Sequence, residues 1–408
     1  MSDPLVFLQN LIAAQKSGEG AVQHLVAGAA RELGCRVETV RYRPSEVPMV
    51  GEFAAAEAIN AGERESVVTT LSGSGGGRSV IFFAHPDSEP LAGLDRWQRD
   101  PFGGVVDNGR VHGWGVADDL SGVAIMVEGL RAALASGQRP KGDVVLASTP
   151  SKRHARGVSA LLHGGLKADA AVYLHPAESG VGMREIKAFC LGELRFRITV
   201  TGRAPDTNEI SHLAFVHRAD NPVDRLADIH RRLLAFAERR AAARRHPLLE
   251  AAVGRSSNLL ISYMGSGKPG VHTRVAREGV LEGAVSLLPG EALADVQRAL
   301  AAELPEGARL AWVSGISGAE VPPDGPLYRT VADSIVGITG QSPEVNPLHT
   351  ASDIRNPIVQ AGIPTVGLGP LGGDLTQNGL HDEWVDVADY RRSVDVAAAI
   401  IARWCGTA

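Results

Sequence analysis

The sequence predicts an α/β protein: a mainly parallel α/β/α sandwich with an inserted ferredoxin-like α+β domain. Three observations predict it. Residues 1–192 alternate short apolar runs with amphipathic helical segments, the pattern of a parallel sheet covered on both faces. Residues 193–318 change to the order strand, helix, strand, strand, helix, strand. Residues 319–408 then return to helix, strand and helix, which makes the middle segment an insertion.

The elements follow in order. "VQHLVAGAARELG" (22–34) has helical apolar spacing and a closing glycine. "RSVIFFAH" (78–85), "DVVLAST" (143–149) and "ADAAVYLHP" (168–176) are short apolar runs ending at polar residues, as buried strands do. "SGVAIMVEGLRAALASG" (121–137) is the helix between the first two. In the insertion, "ELRFRITVTG" (193–202), "NLLISYMGSG" (258–267), "GVLEGAVSLLPG" (279–290) and "ARLAWVSG" (308–315) are the strands. "NPVDRLADIHRRLLAFAERRAA" (221–242) and "EALADVQRALAAELP" (291–305) are its helices. A helix over 324–340, a strand "IPTVGLGP" (363–370) and a final helix over 386–406 complete the chain.

Composition removes several classes of function. The 408 residues are 44% hydrophobic, enough for a large core and unlike a disordered chain. A net charge of -5 argues against a polyanionic partner, so no nucleic acid is expected. The basic run 230–246 reads as the solvated face of a helix. Cys35, Cys190 and Cys405 lie far apart without CxxC spacing, which points to reduced thiols and a cytoplasmic protein. No signal peptide and no membrane-spanning run are expected. Gly-rich "SGSGGG" (72–77) and "GSGKP" (265–269) both lack the spacing of a phosphate-binding loop.

In open α/β sheets, sites collect at the carboxyl ends of the strands. His85 with Asp87, Ser151 with Lys152, and His175 each follow an apolar strand. A His can bind metal while a nearby carboxylate orients it, although a turn explains an isolated His-x-Asp equally well. Asp118 and Asp119 stand at a helix entry beside Gly122, where an N-cap role is also open.

These stretches carry a resemblance. "AHPDSEP", "WQRDPFGGVVDNGRVHGWGVADDLSGVA" and "AGIPTVGLGP…HDEWVDVADY" resemble the zinc aminoacylase, desuccinylase and glutamate-carboxypeptidase metallopeptidases, peptidase family M20. The likeness runs along nearly the whole chain and implies a catalytic domain with an inserted lid. It implies that His85, Asp118 and His175 hold a metal, with His175 replacing a carboxylate of the family. The family's second metal uses a Glu–Glu pair and a C-terminal His. Those positions fall on Ser151, Lys152 and His381, so the ammonium of Lys152 is expected to stand in for the second ion. One divalent transition metal per chain follows, Mn or Zn first.

The expected activity is hydrolysis of a C–N bond in a small carboxylated, aromatic substrate by metal-bound hydroxide. Its sharpest form is hydrolytic deamination of an activated arylamine, 5-nitroanthranilate to 5-nitrosalicylate plus ammonia. Catalytic candidates are Lys152, Asp87, His381, Glu178 and Ser151, with His381, Glu178 or Lys152 as replacement base. His212, Arg274 and Arg277 of the lid are candidates for the substrate carboxylate. His217 is an alternative to His212, and Ser286 stands where the usual lid Arg would be. Asp353 and Arg355 match a segment that lies near the site in the family, and an internal salt bridge explains them equally well. A homodimer or higher homo-oligomer through the lid is expected. A two-metal amidase or dipeptidase, and a non-catalytic ligand-binding protein, are the alternatives.

Overall fold

The computed structural model describes residues 3–59, 62–135, 137–176, 180–349, 352–373 and 381–407. The chain forms two compact units: Met1–Val50 with Ala56–Phe189 and Glu320–Ala408, and Gly51–Ala55 with Cys190–Ala319.

The first unit is built on a six-stranded sheet. Its order is Arg36–Tyr42, Arg64–Leu71, Val144–Ser148, Val80–Ala84, Ala170–Leu174 and Thr365–Leu368. The last four strands are mutually parallel, and Arg64–Leu71 runs against Val144–Ser148. Every residue of Val80–Ala84, Val144–Ser148 and Ala170–Leu174 is buried, which explains why these strands read as unbroken apolar runs. One group of helices, Pro4–Ala14, Ser121–Ala135 and Val387–Cys405, packs together against the sheet. A second pair, Gly157–His163 and Arg355–Ala361, packs on the outer strands. Helix Ser121–Ala135 is buried over its first ten residues, Ser121 to Leu130.

The second unit is an antiparallel sheet in the order Leu259–Ser266, Glu278–Leu287, Gly192–Thr201, Ala308–Ile316 and Glu52–Ala54. Along Gly192–Thr201 every second residue is buried, so one face carries the core. Helices Pro222–Ala243 and Leu293–Ala301 cover that face with Leu226, Ile229, Leu233, Val296 and Leu300. The first four strands have the ferredoxin-like order. The fifth, Glu52–Ala54, comes from upstream in sequence, where only three residues of strand gave no usable periodicity.

The basic run 230–246 is not uniformly solvated. Arg240 is buried and donates to Glu291 Oε2 at 2.8 Å and to the Ser286 carbonyl at 3.1 Å. The three cysteines are free and buried. Among the described residues, no helix is long and apolar enough to cross a membrane.

Candidate metal centre

Sheet register brings the site together. Ala84 pairs with Ser148, and Phe83 with Tyr173, so the chain leaves three neighbouring parallel strands at one edge. His85, the Ser151–Lys152 turn and His175 follow those strand ends. Asp118 arrives from the irregular turn Val116–Leu120, whose Asp118 and Asp119 are non-helical, just before helix Ser121–Ala135. Gly122 lets this helix approach the sheet: a Cβ there would lie 2.0 Å from the Leu174 carbonyl oxygen and 2.5 Å from Asp119 Oδ1.

The centre is Asp118. Its Oδ1 lies 2.9 Å from His85 Nε2 and 3.3 Å from His175 Nε2. Its Oδ2 accepts from the Lys152 ammonium. One ligand atom each from His85, Asp118 and His175 lies within 4.8 Å of the others, and all three residues are buried. Two imidazoles and a carboxylate suit Zn, Mn, Fe or Co, so the donor set fits a divalent transition ion.

Electrostatics hold the set in place. Burial opposes charge on Asp118, yet the Lys152 ammonium, His175 and His85 keep its carboxyl well below the ordinary range. Burial likewise opposes charge on His85, but hydrogen bonds to Asp118 and Asp87 hold its pKa well above the usual value. Against burial, Asp118 raises the pKa of Lys152. Burial pushes Asp119 well above the carboxylate range, against the pull of His85; its Oδ2 accepts from the His85 amide at 3.2 Å.

Asp87 is a hub. Its backbone carbonyl lies 2.8 Å from His85 Nδ1, which fixes the ring with Nε2 toward Asp118. Its carboxylate accepts from the amides of Ser151 at 2.8 Å and Lys152 at 2.9 Å, and from Arg64 at 3.2 Å. Arg64 also holds Glu19 at 2.5 Å. Burial, with Asp87 adding to it, pushes Glu19 up to about 7. Ser151 Oγ donates to Asp353, which also accepts from Asn356 at 3.0 Å. Ser151 is therefore tied to a carboxylate, not to a histidine that would activate it as a nucleophile.

His381 is not part of the buried triad; it lines a cavity of about 300 Å³ with Arg99, Arg110, His112 and Trp384. His212, Arg274 and Arg277 line one cavity of about 470 Å³ within the second unit. There His212 Nδ1 accepts from the Val275 amide at 3.0 Å. His217 is exposed and lies outside that lining, and Ser286 pairs with Asn258. Arg355 is buried at the start of its helix. Glu178 lies outside the described residues.

Sequence reading missed two buried charges. Glu383 accepts from the amides of Gly115 at 2.9 Å, Ala117 at 2.7 Å and Asp118 at 3.0 Å, clamping the turn that carries Asp118. Burial, with the nearby Asp118 charge, pushes its carboxyl up to about 7 despite those three donors. Lys187, in "MREIKAFC", sits 2.9 Å from His175 Nδ1. No short-range spacing marks either residue.

Comparison with known proteins gives one consistent result. The profile of "Peptidase family M20/M25/M40" matches residues 81–403. A succinyl-diaminopimelate desuccinylase of Rhodospirillum rubrum is 29% identical over 423 aligned residues, covering 98% of each chain. That of Maricaulis maris is 26% identical over 336 residues, 79% of each. Among solved structures, an M20 family metallo-carboxypeptidase from Sulfolobus solfataricus superposes with a TM-score of 0.69 at 14% identity, covering 98% of both chains. A tripeptidase from Staphylococcus aureus gives 0.68 at 16% identity, over 99% of this chain and 98% of its own.

Proposed function

Because the chain belongs to peptidase family M20/M25/M40, a family of metal-dependent hydrolases, we propose that it hydrolyses a C–N bond of a small carboxylated substrate at a site holding one divalent ion. His85, Asp118 and His175 are the ligands, and Mn or Zn is the ion. The observation that carries this reading is the Lys152 ammonium on Asp118 Oδ2. That oxygen would have to face a second ion, and an ammonium beside a divalent cation repels it. Ser151, the other residue at that turn, donates to Asp353 and offers no carboxylate base.

A divalent ion at the triad would polarise the substrate and acidify a water molecule. Asp87 keeps His85 turned toward the ion and fixes the backbone of Ser151 and Lys152. Lys152 supplies a single positive charge beside Asp118. His212, Arg274 and Arg277 give the second unit a basic cavity suited to a carboxylate. The strand Leu259–Ser266, at the edge of its sheet with Leu260, Tyr263 and Met264 exposed, supports a homodimer through this unit. The buried free thiols accord with a cytoplasmic site of action.

With Ser151 and Lys152 standing where the resemblance places a pair of carboxylates, activated C–N bonds are the favoured substrates. The sharpest case is an electron-poor arylamine: water adds to the ring carbon, the C–N bond breaks, and 5-nitroanthranilate gives 5-nitrosalicylate and ammonia. Amide hydrolysis is the second reading, favoured by the desuccinylase relatives that match over nearly the whole chain. Incubation with 5-nitroanthranilate and, separately, with N-succinyl amino acids decides between them. Ammonia released only from the first supports arylamine deamination; succinate released from the second removes it in favour of amide cleavage. Neither product, with Mn or Zn supplied, would overturn the hydrolase reading for both classes.

A further inference from the structure

The cavity in the second unit holds more positive charge than one carboxylate can balance. Its volume is about 470 Å³, and Lys268, Arg274 and Arg277 line it with no acidic side chain among its lining residues. Arginines elsewhere in this unit hold carboxylates, as Arg197 holds Glu282, Arg239 holds Glu303 and Arg255 holds Glu238. Among the described residues, no carboxylate pairs with Lys268, Arg274 or Arg277.

The backbone keeps these cations together. Strands Leu259–Ser266 and Glu278–Leu287 form a hairpin in which Ser266 pairs with Gly279. Two residues beyond that pair, toward the hairpin loop, stand Lys268 and Arg277. The loop is pinned: the His212 amide donates to the Thr273 carbonyl at 2.7 Å, and the Val275 amide to His212 Nδ1 at 3.0 Å. Arg274 stands between these two anchors, and the Gly202 amide donates to the Arg277 carbonyl at 2.7 Å. Leu213, Val216 and Val271 give the same cavity apolar walls.

Like charges brought to one cavity repel, and an anion among them relieves the repulsion. A carboxylate brings one negative charge, whereas a phosphate group brings about two at neutral pH, with its acceptor oxygens on one atom. Two separate carboxylates would each lose their freedom on binding; one phosphate loses it once. Guanidinium forks and a lysine ammonium are common phosphate partners. The apolar walls leave room for a carbon skeleton beside the anion.

We propose that this cavity is a phosphate site, taking inorganic phosphate or the phosphate group of a small ester, with Lys268, Arg274 and Arg277 around the anion. The proposal goes beyond the carboxylate reading of the cavity: phosphate competes with a carboxylated substrate for the same cations. All three side chains are exposed, so binding weakens as salt rises.

Calorimetric titration of the full-length protein at low salt tests it, with inorganic phosphate and phenyl phosphate set against acetate and benzoate. The two phosphates are expected to bind about 10-fold tighter than the two carboxylates. Lys268→Met should lower phosphate affinity about 10-fold, while Lys268→Arg, and His85→Ala at the triad, should keep it. Phenyl phosphate binding tighter than inorganic phosphate assigns the cavity to an ester; equal or weaker binding assigns it to the free ion. Carboxylates binding as tightly as the phosphates would overturn the proposal and leave the carboxylate reading standing. No binding by any of the four would remove both readings. Phosphate binding that survives Lys268→Met combined with Arg274→Met, or that is lost in His85→Ala, would place the anion elsewhere and overturn the proposal.

Discussion

Glu383 gives the most quantitative prediction. Its carboxylate takes three backbone N–H groups from the Asp118 turn, yet burial and the Asp118 charge raise its pKa from an ordinary 4.5 to about 7. Because the folded value is the higher one, the folded chain keeps a proton that the unfolded chain has released between pH 4.5 and 7. Stability from this group is therefore full below pH 4.5 and is lost as pH rises through 7. At 1.36 kcal/mol per pH unit, the change between pH 5 and 8 is about 2.5 kcal/mol. Glu383→Gln keeps the shape and removes the titration. Urea unfolding of metal-free protein at pH 5 and pH 8 should show the variant gaining about 2.5 kcal/mol relative to wild type at the higher pH. Glu383→Ala instead leaves three amides without their acceptor and should cost about 3 kcal/mol at pH 5. A wild type and Glu383→Gln pair with parallel pH profiles would refute the reasoning.

Two further perturbations act on the same frame. Gly122→Ala places a methyl 2.0 Å from the Leu174 carbonyl oxygen, which backbone cannot relieve without moving helix Ser121–Ala135. A loss of more than about 3 kcal/mol, or no soluble protein, is expected, and a wild-type urea midpoint would contradict the packing described. Arg64→Met removes the cation between Asp87 and Glu19, both largely buried. It should cost about 2 kcal/mol at pH 8, and Glu19→Gln in the same chain should restore part of that by removing a like charge; no restoration would break the proposed coupling.

The parallel strands were legible because burial on both faces leaves continuous apolar runs, and their polar ends then located His85, Lys152 and His175. Asp118 was legible from the Asp pair at a helix entry and from resemblance. The pairing of Lys152 with Asp118 followed from placing Ser151 and Lys152 at a position where relatives carry carboxylates. Glu383 was not legible, since it acts on amides about 265 residues away in sequence and looks like an ordinary acidic loop residue. Lys187 resembles a surface lysine in sequence, and only the fold shows it buried against His175. His381, which the sequence places at a family ligand position, lines a cavity with Arg99, Arg110, His112 and Trp384. The strand Glu52–Ala54 was hidden because its partner, Ala308–Ile316, lies far along the chain.

The central claim is that one ion sits at the triad and Lys152 holds the place of another. Elemental analysis of metal per chain, on protein purified with Mn and Zn both supplied, tests it most directly. The account predicts one equivalent in the wild type, reduced by His175→Ala and unchanged in Ser151→Glu. Two equivalents in the wild type would contradict it.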